Sequence, residues 1–345
     1  MDKHNFATRH LLARSLLSYL LYPASLIYAG YMLFRRKFLF PKPFRAPFKV
    51  ISIGNIVSGG SGKTPITIAL AKALQNHGLK VAVASRAYKA GWENSAAMIS
   101  DGKGPLTTVA NAGDEALMVA SALPGIPVYV GRKRKDVLRL IAPSQPDVVI
   151  LDDAMQHLRV ARDLDIVIFD GKIGLGNGFV IPAGYLREPL SAIPKQAIIL
   201  LHSKDVTPVN DILQKALCPL RQPIFSARSH ASKILNGDNE LDPNSLKGQS
   251  ISLVSAIAHP ESFESSVRAL GLSFCTHHRF PDHFAFTDVS AMRDLLQDTS
   301  HYLLCTTKDY QKLLTIPTLK DRLLCLSLTT ILDEAFVRQV LKALR

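Results

Sequence analysis

The sequence predicts an α/β protein: a domain with a mostly parallel sheet, a turn-rich hairpin linker, and a smaller second α/β domain. Three observations lead there. Short apolar runs of strand length alternate with helical patterns through most of the chain. One such run passes straight into a glycine-rich loop and from there into a helix. The chain's 345 residues, 47% hydrophobic and 20% charged, exceed one small core yet suit globular packing.

Residues 1–40 form the first unit. Within it, 15–34 (SLLSYLLYPASLIYAGYMLF) is an apolar stretch long enough to cross a bilayer. Pro23 in its middle is expected to kink a helix. Arg14, Ser18, Tyr22 and Ser25 share one face as a polar stripe. Cations flank both ends: Arg9 and Arg14 before, Arg35, Arg36 and Lys37 after. The pattern predicts a helix lying in a membrane interface with its cations on lipid phosphates. A true span and a helix packed on the protein are the alternatives. No small-residue cleavage site follows, which argues against a signal peptide.

Residues 41–210 form the second unit. Residues 49–53 (KVISI) read as a buried strand. Gly54-Asn55-Ile56-Val57-Ser58-Gly59-Gly60-Ser61-Gly62-Lys63-Thr64 follows, then a helical pattern over 65–77 closed by Gly78. Strand, glycine loop, Gly-Lys-Thr and helix together make a P-loop NTPase domain the expected fold. Gly59, Gly60, Ser61 and Gly62 let backbone N–H groups approach phosphate oxygens, and the helix N-terminus adds partial positive charge. Lys63 reaches the terminal phosphates and the Thr64 hydroxyl suits Mg²⁺, so the expected cofactors are ATP and Mg²⁺. Val57 stands where the strict motif has its first glycine, leaving Gly59 and Gly60 to supply the turn.

A second strand is expected over 79–85. Residues 146–153 (PDVVILDD) make an apolar strand ending in two acids, Asp152 and Asp153. Such a strand end places a carboxylate on or near Mg²⁺; the plain alternative is an Asp capping the next turn. Sequence alone does not separate the two acids. Further strands are expected over 165–170 and 197–201.

Residues 211–247 are rich in turn signals, Cys218-Pro219, Asn236-Gly237-Asp238 and Asp242-Pro243-Asn244. Residues 225–235 and the segment around Leu241 suit a hairpin linker. In 248–345, strands are expected over 250–255 and 301–306, with helices over 260–270, 288–297 and 332–344. Cys218, Cys275, Cys305 and Cys325 form no CxxC pair and lie in apolar surroundings, so buried thiols are expected rather than a disulfide or zinc.

The net charge is +13, and residues 1–49 carry nine Lys or Arg against one Asp. The excess thus sits largely in the apolar arm, with no aromatic-basic RNA motif beside it. A membrane surface is the expected partner, with no nucleic acid and no obligate protein partner. A P-loop NTPase switch or transport ATPase remains a competing reading. Against a GTPase, Leu201-His202-Ser203-Lys204-Asp205 stands where a guanine-specifying Asn-Lys-x-Asp would be.

At this point a joint pattern emerges. It comprises Gly54-Asn55, Ser85-Arg86-Ala87-Tyr88, Gly113-Asp114-Glu115-Ala116, Val130-Gly131-Arg132 and Asp152-Asp153-Ala154-Met155-Gln156-His157. It continues with Gly174-Leu175-Gly176-Asn177-Gly178, Pro182-Ala183-Gly184, Leu186-Arg187-Glu188-Pro189-Leu190, Phe280-Pro281-Asp282-His283 and Thr306-Thr307-Lys308-Asp309. In this order the chain resembles the tetraacyldisaccharide 4′-kinases, which phosphorylate a lipid A precursor. Ala87 and Ala154 stand where the family usually has Gly, Thr307 where it commonly has Glu, and His259 where it has Asn.

The resemblance implies transfer of the ATP γ-phosphate to the 4′-hydroxyl of a tetraacylated glucosamine disaccharide 1-phosphate. The location implied is the cytoplasmic face of the bacterial inner membrane, with peripheral or monotopic attachment. Asp114 is the expected base for the attacking hydroxyl, aided by His283 from the second domain once the two domains close. An N-cap role for Asp114 before the helical run 115–122 is the structural alternative, and an ordinary loop position for His283. Gln156 and His157 fall near the reacting phosphate. Arg86, Tyr88, Arg187 and Glu188 are candidates for the sugars and the 1-phosphate, since an Arg fork suits phosphate and a Tyr face suits a sugar ring. Arg132-Lys133-Arg134-Lys135 suits either lipid headgroups or a solvated helix start.

Overall fold

The computed structural model describes residues 11–40, 42–58, 61–87, 90–204, 210–237, 239–257 and 259–345. Gly59, Gly60 and Tyr88 lie outside the described residues. The first element is helix α1, Leu16–Phe38, opened by a capping box in which Ser15 and Ser18 satisfy each other's backbone N–H. It runs through Pro23 without a break. The polar stripe packs on the protein. Arg14 donates to the Asn177 carbonyl (3.2 Å), Asn177 Nδ2 to Ser18 Oγ (3.4 Å), and the Ala183 N–H to Ser25 Oγ (2.9 Å). Those serines are buried, while Leu20 is 70% and Ile27 77% exposed. The stripe is therefore the protein-docking face and the apolar side is left outward.

The described strands form one thirteen-stranded sheet. Strand β1 (Lys49–Gly54) lies between β5 (Val148–Leu151) and β6 (Leu164–Asp170), parallel to both. Strand β2 (Val81–Ser85) extends the sheet beyond β5 in parallel. Beyond it come β4 (Val128–Val130), parallel to β2, and β3 (Ala97–Ser100), antiparallel to β4. On the other side β7 (Ile198–Lys204) pairs parallel with β6, and β8 (Ile224–Asn236) with β7. The strands nearest β1 are buried along nearly their whole length, as continuous apolar runs in a covered parallel sheet should be.

Strand β8 also forms a short hairpin with β9 (Asn239–Leu241). Along its length it pairs antiparallel with β13 (Leu323–Leu332), which sequence periodicity does not predict. Beyond β13 lie β12 (Tyr302–Thr306), β10 (Ile251–Ser255) and β11 (His277–Arg279), all parallel. The long β8–β13 pair thus joins the two parallel groups into one sheet. It begins at Leu323 and extends to Leu332, so the terminal helix starts at Glu334 rather than 332. The helix expected over 288–297 contracts to Arg293–Leu296, with turns before it.

Helix α2 (Lys63–Asn76) follows the glycine loop and buries Ile66, Leu70 and Leu74. These share one core with Ile51, Ile53 and Val83 from the sheet and with Phe336 and Val340 from the terminal helix. Ala87 and Ala154 are both fully buried. Cys305 and Cys325 are buried at facing positions of β12 and β13, but Cys218 and Cys275 are exposed, against expectation. Apolar neighbours in sequence do not fix burial at a helix end or in a loop.

Candidate active site

The carboxyl end of β1 leads into the glycine loop. Asn55 is buried, donates from Nδ2 to Ser61 Oγ (2.8 Å), and accepts at its carbonyl from Gln156 Nε2 (2.9 Å). The loop is held from outside by Ser58 N–H on the Tyr185 carbonyl (2.8 Å) and by Arg187 N–H on the Ile56 carbonyl (2.6 Å). Val57, in place of a glycine, forms an antiparallel bridge with Leu186 and is buried. Gly62 caps α2 at φ +79°, and a Cβ there would sit 2.1 Å from His202 Nδ1. Only glycine fits both conditions. Ser61, Gly62, Lys63 and Thr64 thus lie at a helix N-terminus, where free N–H groups favour an anion.

Strand β5 delivers Asp152 and Asp153 beside this loop. Burial pushes the Asp152 carboxyl up to about 6, against the pull of Lys63. Its Oδ1 accepts from Thr67 Oγ1 (3.1 Å). Asp153 is in the left-handed region at φ +48°. Its Oδ1 lies 3.5 Å from Lys63 Nζ and 3.9 Å from Arg187 Nη1, and is buried with no hydrogen-bond donor. Two adjacent carboxylates at the strand end, beside the start of α2 that carries Thr64, offer the oxygen donors that a hard cation takes. Among the described residues no three His, Cys, Asp or Glu side chains cluster as a full metal cage. Mg²⁺ needs only one or two protein oxygens and takes the rest from water and phosphates.

Arg134 is not a solvated residue of a basic helix start. It is buried and donates to the carbonyls of Ser85, Gly131 (3.2 Å) and Asp152 (2.6 Å). One guanidinium therefore binds the carboxyl ends of β2 and β5 and the turn after β4. Burial pushes it down to about 10, still a cation at neutral pH. Beside it opens a cavity of about 810 Å³ lined by Arg35, Arg132, Lys133, Gln156, His157 and Arg159. Burial, reinforced by Arg134 and Arg86, pushes His157 down to about 4, so its imidazole is neutral at pH 7.

The other sugar candidates divide. Arg86 is partly exposed and paired with Glu93 at 3.0 Å. Arg187 is turned towards Asp153. Glu188 is 1% exposed and holds Arg36 at 2.6 Å, so its carboxylate is engaged by α1 rather than open to a sugar.

The Asp114–His283 pair forms. Helix α3 (Asp114–Ala122) starts at Asp114, and its N-cap is Gly113 at φ +84°, not Asp114. Asp114 Oδ2 is 3.2 Å from His283 Nδ1 and 2.8 Å from Lys312 Nζ, while Oδ1 accepts from the Glu115 N–H (3.0 Å). His283 is held at φ +64°, with Nε2 3.3 Å from Lys308 Nζ. Burial pushes the Asp114 carboxyl up, but the hydrogen bond and charge of Lys312, with Lys308 and His283 behind, outweigh it and hold it below its ordinary value. Glu115 is near enough to Asp152 to push that carboxyl further up, which links the pair to the phosphate loop.

Sequence reading missed Lys312, and it named Arg36 only as a flanking cation and Arg134 only within a basic cluster. The i, i+4 spacing of Lys308 and Lys312 behind Thr306 was a usable signal for the first. Nothing local marked the partners of the other two, Glu188 and the strand-end carbonyls.

Comparison with known proteins converges. The family model described as tetraacyldisaccharide-1-P 4′-kinase (LpxK) matches residues 17–345. A tetraacyldisaccharide 4′-kinase of Pelobacter propionicus is 36% identical over 319 residues, covering 89% of this chain and 86% of the relative. One from Chlorobium phaeovibrioides is 35% identical, covering 88% and 89%. The crystal structure of LpxK from Aquifex aeolicus in complex with ATP superimposes with a TM-score of 0.78 at 26% identity, covering 96% of this chain and 100% of that one. With a family model spanning nearly its whole length, this chain belongs to the tetraacyldisaccharide-1-phosphate 4′-kinase family.

Proposed function

We propose that this chain is an ATP-dependent kinase that transfers the γ-phosphate to the 4′-hydroxyl of a tetraacylated glucosamine disaccharide 1-phosphate. The product is the bis-phosphorylated lipid A precursor. The observation that carries the reading is the pairing of Asp114 with His283, 169 positions apart, beside a P-loop in a chain of this family. A nucleotide-hydrolysing switch needs no such base for an alcohol.

Gly59, Gly60, Ser61 and Gly62 wrap the phosphates with backbone N–H groups, and Lys63 neutralises the terminal ones. Thr64 and Asp152 hold Mg²⁺, with Asp153 orienting Lys63. Bound Mg²⁺ offsets charge on the β and γ phosphates. Asp114 accepts the hydroxyl proton late in a loose transition state, with His283 orienting it. Arg86, Tyr88, Gln156, His157 and Arg187 meet the sugars and the 1-phosphate. The basic cavity and the neutral His157 support that assignment. Residues 41–210 and 248–345 act as two lobes about the 211–247 linker, each supplying one member of the dyad.

Helix α1 keeps the enzyme on the cytoplasmic face of the inner membrane, where the acceptor resides. By length and composition it could cross a bilayer. Its buried serines and the ion pair of Arg36 favour a helix lying along the interface, serine side on the protein and leucine side in lipid. The deciding assay is transfer of labelled γ-phosphate with and without the disaccharide lipid. Label in the lipid supports the kinase; lipid-independent release of phosphate at the full rate supports a bare NTPase.

A further inference from the structure

Helix α4, Thr307–Leu313, carries a buried ammonium that the phosphate transfer itself does not use. Lys312 is 7% exposed. Its Nζ lies 2.8 Å from Asp114 Oδ2, 3.3 Å from the Phe284 carbonyl and 4.0 Å from Asp309 Oδ1. Phe284 directly follows His283. One cation therefore grips both members of the dyad at once: the carboxylate of one and the backbone beside the other. Its own helix is fixed in turn, because Asp309 accepts from the Ala256 N–H (2.9 Å) and the Thr306 hydroxyl (2.7 Å).

We propose that Lys312 is the positioning residue that assembles the Asp114–His283 pair. The inference rests on the assignment of Asp114 as base. The three partners come from three segments, with 198 positions between Asp114 and Lys312. Two flexible contacts, carboxylate to imidazole and imidazole to Lys308, do not by themselves set the angle of the dyad. A third, buried contact does. The left-handed φ of +64° at His283 fits this account, since a non-glycine residue stays there only when neighbours over-determine it. The groups facing Asp114 are Lys312 and Lys308 from α4, His283 from its loop and Glu115 from its own helix. Lys308 is also engaged by Asp282 at 2.8 Å, which leaves Lys312 as the cation hydrogen-bonded to Asp114.

The test compares Lys312→Met, Lys312→Arg, Asp114→Ala and the Asp114→Ala/Lys312→Met double variant, in full-length enzyme with ATP and the disaccharide lipid. Lys312→Met is expected to lower kcat about 10- to 100-fold with the KM for ATP unchanged, as for a misplaced catalytic group. The acidic limb of its pH–kcat profile is expected to move to higher pH, because the carboxylate has lost the cation that favours its charged form. Lys312→Arg keeps charge and fold but not the geometry, so it should retain the wild-type limb with a reduced kcat. In the Asp114→Ala background Lys312→Met should cost nothing further. Multiplying effects, or a wild-type limb and kcat in Lys312→Met, would overturn the proposal. Near-normal turnover in Asp114→Ala would instead remove the assignment of the base, a different failure with a different signature.

Discussion

The Arg36 guanidinium lies 2.6 Å from the Glu188 carboxylate, although 152 positions separate them. Arg36 also donates to the Met155 carbonyl (3.4 Å) and Arg35 to that of Gln156 (3.3 Å). Gln156 in turn holds Asn55 at the start of the glycine loop, and Arg187 is the neighbour of Glu188. The end of the outward-facing helix is thus tied by hydrogen bonds to the residues that shape the phosphate site.

Breaking the pair from one side should be costly. Arg36→Ala leaves Glu188 buried and uncompensated, with an expected loss of about 3–5 kcal/mol. Replacing both with apolar residues of similar size, Arg36→Met with Glu188→Leu, should cost much less. Urea denaturation of the three proteins checks this; equal stability of Arg36→Ala and wild type would show that the pair carries no strain of burial.

Lys63→Ala removes a fixed cation from charge developing on the phosphates. An expected fall in kcat of at least about 100-fold follows. Steady-state transfer assays decide it, and near-normal kcat would remove the P-loop lysine from the reaction.

Asp114→Ala should depress kcat far more than it raises the KM for ATP, since the carboxylate acts on the attacking hydroxyl rather than on the nucleotide. A general base contributes roughly 100- to 10,000-fold. A pure rise in the KM for ATP contradicts the role.

The exposed face of α1 should govern membrane binding. Deleting residues 1–40 would also strip Glu188 of Arg36, so surface changes are the cleaner test. Replacing Leu20, Ile27 and Phe34 with Ser removes three exposed apolar groups, each contributing roughly 1.5–3 kcal/mol when buried in lipid. Flotation with anionic vesicles should weaken and the apparent KM for lipid should rise, with ATP binding retained. Release of the intact protein only by detergent, not by salt or carbonate, would favour a span.

Stability should fall at low pH through Asp298. Burial pushes its carboxyl up, but hydrogen bonds from His278, Ser252 and Ser300 outweigh this and bring it down to about 2. A carboxyl lowered on folding stabilises above its unfolded value near 4, and that contribution is lost as pH falls from about 4 to about 2. Asp298→Asn should flatten the decline in melting temperature across that window. An unchanged slope would place the acid sensitivity elsewhere.

Local pattern made much of this protein legible. The strand–glycine loop–helix unit stands at Lys49–Gly54 and Lys63–Asn76, within a residue or two of the expected bounds. The acids ending β5, the strands at 164–170 and 251–255, and the terminal helix were readable from apolar runs and turn residues. The polar stripe of α1 was also picked out, but not the surface it packs on. A stripe of Ser and Tyr specifies a face and says nothing about whether water, lipid or the Asn177 turn lies against it.

What the sequence determined by itself was therefore the phosphate loop, the apolar strands around it and the family pattern of polar residues. Each rests on spacings of a few residues, over which backbone geometry dictates what can meet. The tertiary structure alone decided the β8–β13 pair that unites the sheet, the burial of Arg134, the Arg36–Glu188 pair and the seat of Lys312 on Asp114. All four join segments far apart in the chain, or bury a charge whose partner local sequence does not name. A lysine reads as solvated until the fold supplies the carboxylate and carbonyl that make its burial favourable.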